Sequence, residues 1–277
     1  MPKASCAGLG LRREMLNEFC QSVPDAIDFF EVAPENWMTL GGKYGKQFSQ
    51  LTEQHRFFCH GLSLSVGGPA PVDVEFVKAV KHFLEQHNIE CYSEHLSYCS
   101  GEGHLYDLMP IPFTSEAVSH VAERVKLIQD ILERPLILEN VSFYSAPGAE
   151  MSEQAFVCEV LNEADCGLLL DVNNIYVNAT NHGYDAHQFL AAMPTDRIRY
   201  LHVAGHYQQA PDLIIDTHGA NINAPVWQLL AECYAIHGVF PTLLERDFNL
   251  PTTAQLLTEI DQISLLQQQA LVKQRIA

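Results

Sequence analysis

Basic side chains are scarce in this chain: 16 Lys plus Arg stand against 34 Asp plus Glu, a formal net charge of -18 over 277 residues. A surface that acidic repels phosphate backbones, so nucleic acid is disfavoured as a partner unless bound cations line the contact. No stretch approaches the ~20 consecutive apolar residues that a membrane-spanning helix needs, so no membrane partner is expected. The opening segment MPKASCAGLGLRREM lacks the apolar core of a signal peptide. Eight cysteines occur without a CxxC pair, which argues against a disulfide framework or a zinc knuckle. Reduced, mostly buried thiols in a cytoplasmic protein are the expectation. Cys59, beside His60, is the thiol best placed to be functional. Internal repeats, low-complexity segments and linkers are also missing.

What is present is core-forming material, 47% hydrophobic and 18% charged residues. Short apolar runs bounded by turn residues predict buried strands at 6–11, 27–33, 56–65, 89–97, 135–141, 166–173, 198–204 and 239–246. Helical patterns fill the gaps at 12–22, 40–54, 72–87, 114–132, 152–164, 184–192, 223–237 and 253–271. Asp73, Ser152 and Thr252 or Thr253 are candidate N-caps, and Thr114 opens a further amphipathic stretch. The tail after 265, QQQALVKQRIA, is polar and is expected to fray. Strand and helix alternate from end to end without a composition break, which predicts an α/β fold, a single (β/α)8 TIM barrel spanning 1–277. A doubly wound open sheet is the competing architecture.

The choice between them rests on where acids and imidazoles fall. The runs FFCHGLSL, CYSEHLSY, LILENVSF, LLLDVNN, RYLHVAGH, IIDTHG and PTLLERD place His60, His95, Glu139, Asp171, His202, the Asp216/His218 pair and Glu245 at or just past the ends of apolar runs. A charge stranded at the end of a buried strand is costly unless it meets a partner or a cation. Only a barrel brings the C-terminal ends of so many strands to one mouth. Pairing with Arg199 or Arg246 would be a structural alternative for Asp171 and Glu245. Residues i and i+2 of an extended segment face the same way, so Asp216 and His218 are expected to act together. Mixed imidazole and carboxylate ligands without thiolate suit iron, zinc or manganese, and so many ligands imply about two to three ions. Such a centre can activate water, clamp a phosphate or bind dioxygen, and spacing alone does not choose.

The order His, His, Glu, Asp-x-x-X, His, Asp-x-His, Glu resembles the xylose-isomerase-like barrel superfamily, including its endonuclease IV branch. That branch carries Asp-x-x-His where this chain has Asp171-Val-Asn-Asn174, a departure that weakens a third metal site and the endonuclease reading. More specifically, GLGLR, FFEVAPENWM, HGLSLSVGG, SEHLSY, LENVSFY, LLDVNNIYVN, YLHVAGH, DTHG and LLERD resemble the DUF692 (UPF0276) family of multinuclear non-haem iron enzymes, among them the methanobactin biosynthetic iron subunit. The resemblance implies about two to three iron ions in a mixed Fe(II)/Fe(III) state, with zinc or manganese as substitutes after purification. It also implies dioxygen-dependent modification of cysteines in a ribosomally made peptide, and a small companion protein that binds the peptide's leader.

Carried over by position, one iron would sit near His60, His95 and Glu139. A second would sit near Glu139, Asp171, His202 and Glu245, with Glu139 bridging. A third would involve Asp216 and His218 with Asn174. His206, Asn173, Glu94, Arg246 and Asp247 become candidates behind the ligands or on the substrate side. Among the candidates, Glu139, Asp171, Asn174, His206 and Asp247 are those expected to touch the reaction. A divalent-metal hydrolase or isomerase acting on a phosphate ester or sugar remains the alternative, and a metal-binding scaffold a third reading.

Overall fold

A computed structural model describes residues 6–101 and 103–276. In chain order its strands are β1 Ala7–Gly10, β2 Phe29–Val32, β3 Arg56–Gly61, β4 Cys91–His95, β5 Tyr98–Ser100, β6 His104–Met109, β7 Ile137–Glu139, β8 Gly167–Asp171, β9 Ile198–Val203, β10 Tyr207–Ala210, β11 Leu213–Ile215 and β12 Thr242–Leu244. Its helices are α1 Leu16–Phe19, α2 Gly42–Thr52, α3 Val74–Gln86, α4 Ser115–Leu132, α5 Glu153–Ala164, α6 Val172–His182, α7 Ala186–Ala192, α8 Ala224–His237 and α9 Thr253–Ile276. Eight strands close into a barrel in the order β1-β2-β3-β4-β7-β8-β9-β12, and every pair around it is parallel. This is the expected (β/α)8 barrel.

Strand periodicity explains how the barrel makes a site. Phe29, Phe58, Ile137, Leu169, Tyr200 and Leu243 pack together as a separate buried cluster that fills the barrel interior. Side chains two residues apart on a strand face the same way, so the next inward position on each of these strands is Glu31, His60, Glu139, Asp171, His202 and Glu245. An apolar floor therefore carries a polar layer directly above it, at the C-terminal end of the barrel. The main core between strands and helices is apolar and includes Cys59. Burial pushes that thiol well above its ordinary pKa, so Cys59 is a packing residue facing away from His60.

Helix starts follow the capping signals. Asp73, Thr114 and Ser152 accept the backbone N–H of Phe76, Ala117 and Ala155 at 3.0, 3.1 and 3.2 Å. Thr252 Oγ1 accepts from Gln255 N at 3.4 Å while Gln255 Oε1 accepts from Thr252 N at 3.0 Å, a reciprocal box at the last helix.

Several expectations need correction. The strand expected at 166–173 ends at Asp171, and α6 begins at once. That helix has a weak sequence signal because Val172, Ile175, Val177 and its asparagines are poor helix formers, yet Asp171 caps it and its inner face is buried. The helix expected at 12–22 is a 3-10 turn at Arg13–Met15 followed by the four-residue α1. The tail does not fray before Ile276, since α9 continues through it. Two antiparallel hairpins, β5–β6 and β10–β11, stand outside the expected alternation, inserted after the barrel strands β4 and β9.

A buried carboxyl holds the loop after β7. Asn178 donates to Val141 O and to Glu153 Oε1, both at 3.0 Å, and accepts from Phe143 N at 3.0 Å. Tyr184 OH donates to the other Glu153 oxygen at 2.8 Å. Burial raises the Glu153 carboxyl to about 7 against the lowering influence of Tyr184 and Asn178. A carboxyl raised on folding favours the native state below its unfolded pKa, and that contribution fades as pH rises through about 7. Glu153→Gln keeps an acceptor and removes the titration. Its stability relative to wild type should therefore improve by about 3 kcal/mol between pH 4.5 and pH 8, read by urea unfolding. A pH-independent difference would contradict this.

Candidate metal centre

The polar layer is closely knit. His60 Nε2 lies 3.1 Å from His95 Nε2, and the two lie 3.3 and 3.4 Å from Glu139 Oε2. On the other side of Glu139, its Oε1 is 3.5 Å from His202 Nδ1, which also lies 3.1 Å from Glu245 Oε2 and 4.0 Å from Asp171 Oδ2. Glu139 thus faces two groups at once, one through each oxygen. His218 Nδ1 approaches Glu245 Oε2 at 3.3 Å and Asp247 Oδ2 at 3.0 Å. In each of three sets, His60/His95/Glu139, Glu139/Asp171/His202/Glu245 and His218/Glu245/Asp247, one ligand atom per residue falls within 4.8 Å of the others.

These groups are deeply buried, with Glu139 2% exposed and Asp171 and His202 fully enclosed. Burial by itself raises the Glu139 carboxyl, but His60, His202 and His95 pull it well below the carboxylate range. Asp171 moves the opposite way, its carboxyl pushed well up by burial and by neighbouring Glu139. Burial lowers His95, yet Glu94 and Glu139 carry it up to about 9. His202 and His218 are likewise raised against the effect of burial, the first mainly by Glu31 and Glu245, the second by Asp216 and Glu245. Among the described residues no arginine pairs with Glu31, Glu139, Asp171 or Glu245: Arg246 pairs with Glu259 at 2.7 Å, and Arg199 donates to the Asp196 carbonyl at 2.8 Å.

Hydrogen bonding alone leaves the layer incomplete. Two buried oxygens, Asp171 Oδ2 and Asn174 Oδ1, have no hydrogen-bond partner among the described residues, whereas the far ring nitrogens of His95, His202 and His218 face Glu94, Glu31 and Asp216 at 3.5, 2.9 and 2.7 Å. Ligands ~2.1 Å from a tetrahedral ion lie ~3.4 Å apart, close to the spacing around Glu139 Oε2. Nitrogen and oxygen donors, orphaned polar atoms and this spacing fit metal ions.

The remaining candidates take distinct places. Asp171 accepts Asn174 N at 2.6 Å through Oδ1, which caps α6 and leaves Oδ2 for the cluster. Asn174 donates to Asn140 O at 3.1 Å, which leaves its buried Oδ1 without a hydrogen-bond partner among the described residues. Asp216 and His218 do meet, Oδ1 to Nε2 at 2.7 Å, but not as neighbours on a strand. They lie in the loop after β11, where His218 adopts a left-handed backbone with φ 49. Asp216 also accepts from Asn173 and Ser142, both at 2.9 Å. His206 has both ring nitrogens engaged, with Asn173 Oδ1 at 2.7 Å and Asn223 Nδ2 at 3.0 Å. A Cβ at Gly205 would lie 2.1 Å from the Ala220 carbonyl oxygen, so glycine is what lets the chain set His206 there. Asp247 is half exposed at the mouth, in an ion pair with Arg12. Glu94 accepts Leu64 N at 2.6 Å through Oε1 and stands 3.5 Å from His95 Nδ1 through Oε2, behind that imidazole.

Glu31 is a site residue that the run-end pattern did not single out. It lies 2.9 Å from His202 Nε2 and is 4% exposed. Its signal was legible: in FFEV an acid stands two residues after a floor phenylalanine, the same step that separates Phe58 from His60. A cavity of about 1170 Å³ opens above the layer, walled by Tyr98, Met109, Phe143 and Tyr144.

Fold and site together define a (β/α)8 TIM barrel with a carboxylate–imidazole centre at its mouth. Solved structures with this fold include an L-ribulose 3-epimerase, 14% identical with a TM-score of 0.64 over 98% of this chain and 97% of that one. The IOLI protein, solved with a bound zinc atom, is 12% identical with a TM-score of 0.62 over 97% and 98% of the two chains. The chain belongs to the family of RiPP precursor modification enzymes MbnB/TglH/ChrH, whose model matches residues 6–268. A UPF0276 protein of Shewanella sediminis (strain HAW-EB3) is 74% identical over 263 residues, 95% of each chain.

Metal binding to this layer has a pH signature. An ion takes neutral imidazole, so the proton that His95 holds up to about 9 must leave. Affinity for Zn(II) should therefore rise with pH towards that value, and uptake at pH 7 should release protons. Calorimetry in buffers of differing ionisation enthalpy reads the release. Glu139→Gln should lower affinity in both groups it faces, by roughly a hundredfold. Uptake without proton release, or unchanged affinity in the variant, would contradict a centre built on these residues.

Proposed function

We propose that the chain is a multinuclear non-haem iron oxidase or oxygenase that uses dioxygen to modify cysteines of a ribosomally synthesised peptide, which a small companion protein helps present. The observation that carries this reading is the placement of Glu139 between two imidazole–carboxylate groups at the floor of an open cavity, in a member of a RiPP precursor modification family. The cavity exceeds the ~300–1,000 Å³ of ordinary small-ligand pockets, which suits a peptide segment.

His60, His95 and Glu139 would hold one iron, and Glu139, Asp171, His202 and Glu245 a second. A third would involve His218, with Asp216, Glu245 or Asp247 beside it. Bound iron supplies one-electron redox chemistry towards dioxygen and Lewis acidity towards a thiol. The chain's own residues then do the positioning. Asp171 is held by the helix cap it makes, so its free oxygen is fixed in direction. The sequence of contacts His206–Asn173–Asp216–His218 orients the third imidazole from behind. Burial keeps His206 below its ordinary pKa, hence neutral at pH 7. Arg12 holds Asp247 at the rim, and apolar Met109 and Phe143 limit water beside the site.

The test is iron-loaded protein, prepared without air, incubated with a cysteine-containing precursor peptide, with and without a small leader-binding protein. A peptide mass change that requires dioxygen, is confined to cysteine and disappears in Glu139→Ala is the expected result. Turnover of a sugar or phosphate ester by the zinc or manganese form, with no dioxygen uptake, would instead establish the hydrolase or isomerase reading. Unaltered function in Glu139→Ala would favour a scaffold.

A further inference from the structure

Beneath the metal-facing layer, one carboxylate reaches two histidines on different sides of the barrel. Glu31 Oε2 accepts from Tyr200 OH at 2.7 Å. The Tyr200 oxygen is 2.6 Å from Ser93 Oγ, and Ser93 Oγ is 2.7 Å from His60 Nδ1. The other Glu31 oxygen, Oε1, lies 2.9 Å from His202 Nε2. Glu31, Ser93, Tyr200, His60 and His202 are all buried, Ser93, Tyr200 and His202 completely, so water does not compete for these contacts.

The donor directions follow from counting protons. A carboxylate only accepts, so the Tyr200 hydroxyl gives its single proton to Glu31. Tyr200 can then only accept from Ser93. The one hydroxyl proton of Ser93 is thereby used on Tyr200 at 2.6 Å, in preference to the Cys59 carbonyl at 3.3 Å. Ser93 must in turn accept from His60 Nδ1–H. That leaves the lone pair of His60 on Nε2, the nitrogen facing His95 and Glu139. His202 is held differently: its Nε2 faces Glu31 Oε1 at 2.9 Å as an ion-pair contact outside hydrogen-bond alignment, so charge alone favours a proton there, while Nδ1 faces Glu139, Asp171 and Glu245.

We propose that Glu31, Tyr200 and Ser93 are positioning residues: a one-way hydrogen-bonded strap, anchored on Glu31, presets the ligating nitrogen of His60, while the same carboxylate faces His202 Nε2 by charge and so ties two metal groups to one buried acid. The proposal rests on the metal reading of the mouth. The two histidines are set with opposite nitrogens forward, Nε2 in one and Nδ1 in the other, although both project from parallel strands. A chain of neutral hydroxyls ending on one acid supplies the first setting, and the acid itself faces the second. Partners that orient ligating imidazoles are typically worth ten- to a hundredfold in metal affinity.

Zinc-loaded wild-type protein labelled with ¹⁵N-histidine reads the tautomers directly, through long-range ¹H–¹⁵N correlations of the imidazole rings. The expected result is a proton on Nδ1 of His60 and on Nε2 of His202. Ser93→Ala and Tyr200→Phe cut the strap on the His60 side. They should move only the His60 resonances and weaken zinc at the His60/His95/Glu139 group by roughly tenfold or more, sparing the group around His202. Glu31→Gln should disturb both. Zinc bound with the opposite tautomer at either histidine overturns the strap while leaving the metal centre standing. Failure of the wild-type protein to bind zinc at all overturns the metal reading and the strap with it.

Discussion

Glu139 sits on the inner face of a barrel strand, one layer above a floor of phenylalanine, leucine and isoleucine, and three imidazoles converge on its two oxygens. Burying an ionised carboxylate without compensation is prohibitive, and here no arginine provides it among the described residues. The compensation comes from histidines that are themselves buried and themselves need partners. The upper end of the barrel is consequently a single electrostatic unit, in which the carboxyl of Glu139 is pulled down, that of Asp171 pushed up and the imidazoles raised. Protons shared this way still leave two buried oxygens, Asp171 Oδ2 and Asn174 Oδ1, unsatisfied among the described residues. Divalent or trivalent cations would answer all of these charges together, which is why the layer reads as ligands in waiting rather than as a structural salt-bridge network.

The barrel accounts for how such a layer can exist. Parallel strands deliver their C-terminal ends to one mouth, and the period of two turns each floor residue into the foundation for a polar residue above it. The helices and hairpins then specialise the mouth. Helix α6 begins on Asp171 and fixes one of its oxygens, while the loop after β11 brings Asp216 and His218 over the barrel from outside it. Solved sugar epimerases share the fold at 11–14% identity, and at that distance they inform the architecture alone. Family membership and the identities of the side chains in the mouth carry the functional reading.

Much of the fold and the site is legible in the chain because the signals are local. The apolar runs ending in His60, His95, Glu139, Asp171, His202 and Glu245 announce both strand and site, since a charge at the end of a buried strand must be met there by a partner or a cation. The features that are not legible depend on tertiary context. Helix α6 overrides the weak helical propensity of its Asn-rich and β-branched residues through burial and a cap. Asp216 and His218 share a neighbourhood through a loop with a left-handed residue, which no strand alternation could foretell. Glu31 is the exception: it follows the same two-residue step from Phe29 as the others, and only the run-end pattern passes over it. Ser93 and Tyr200 are ordinary strand residues until the barrel closes and places them between two histidines.

Whether this mouth holds coupled iron decides the functional reading. The decisive measurement is metal content together with Mössbauer spectra of protein expressed with ⁵⁷Fe and purified without air. About two or more irons per chain, with antiferromagnetically coupled ferrous and ferric components, is the result the ligand set implies. Full occupancy by zinc or manganese, with iron unable to form a coupled centre on reconstitution, would contradict it.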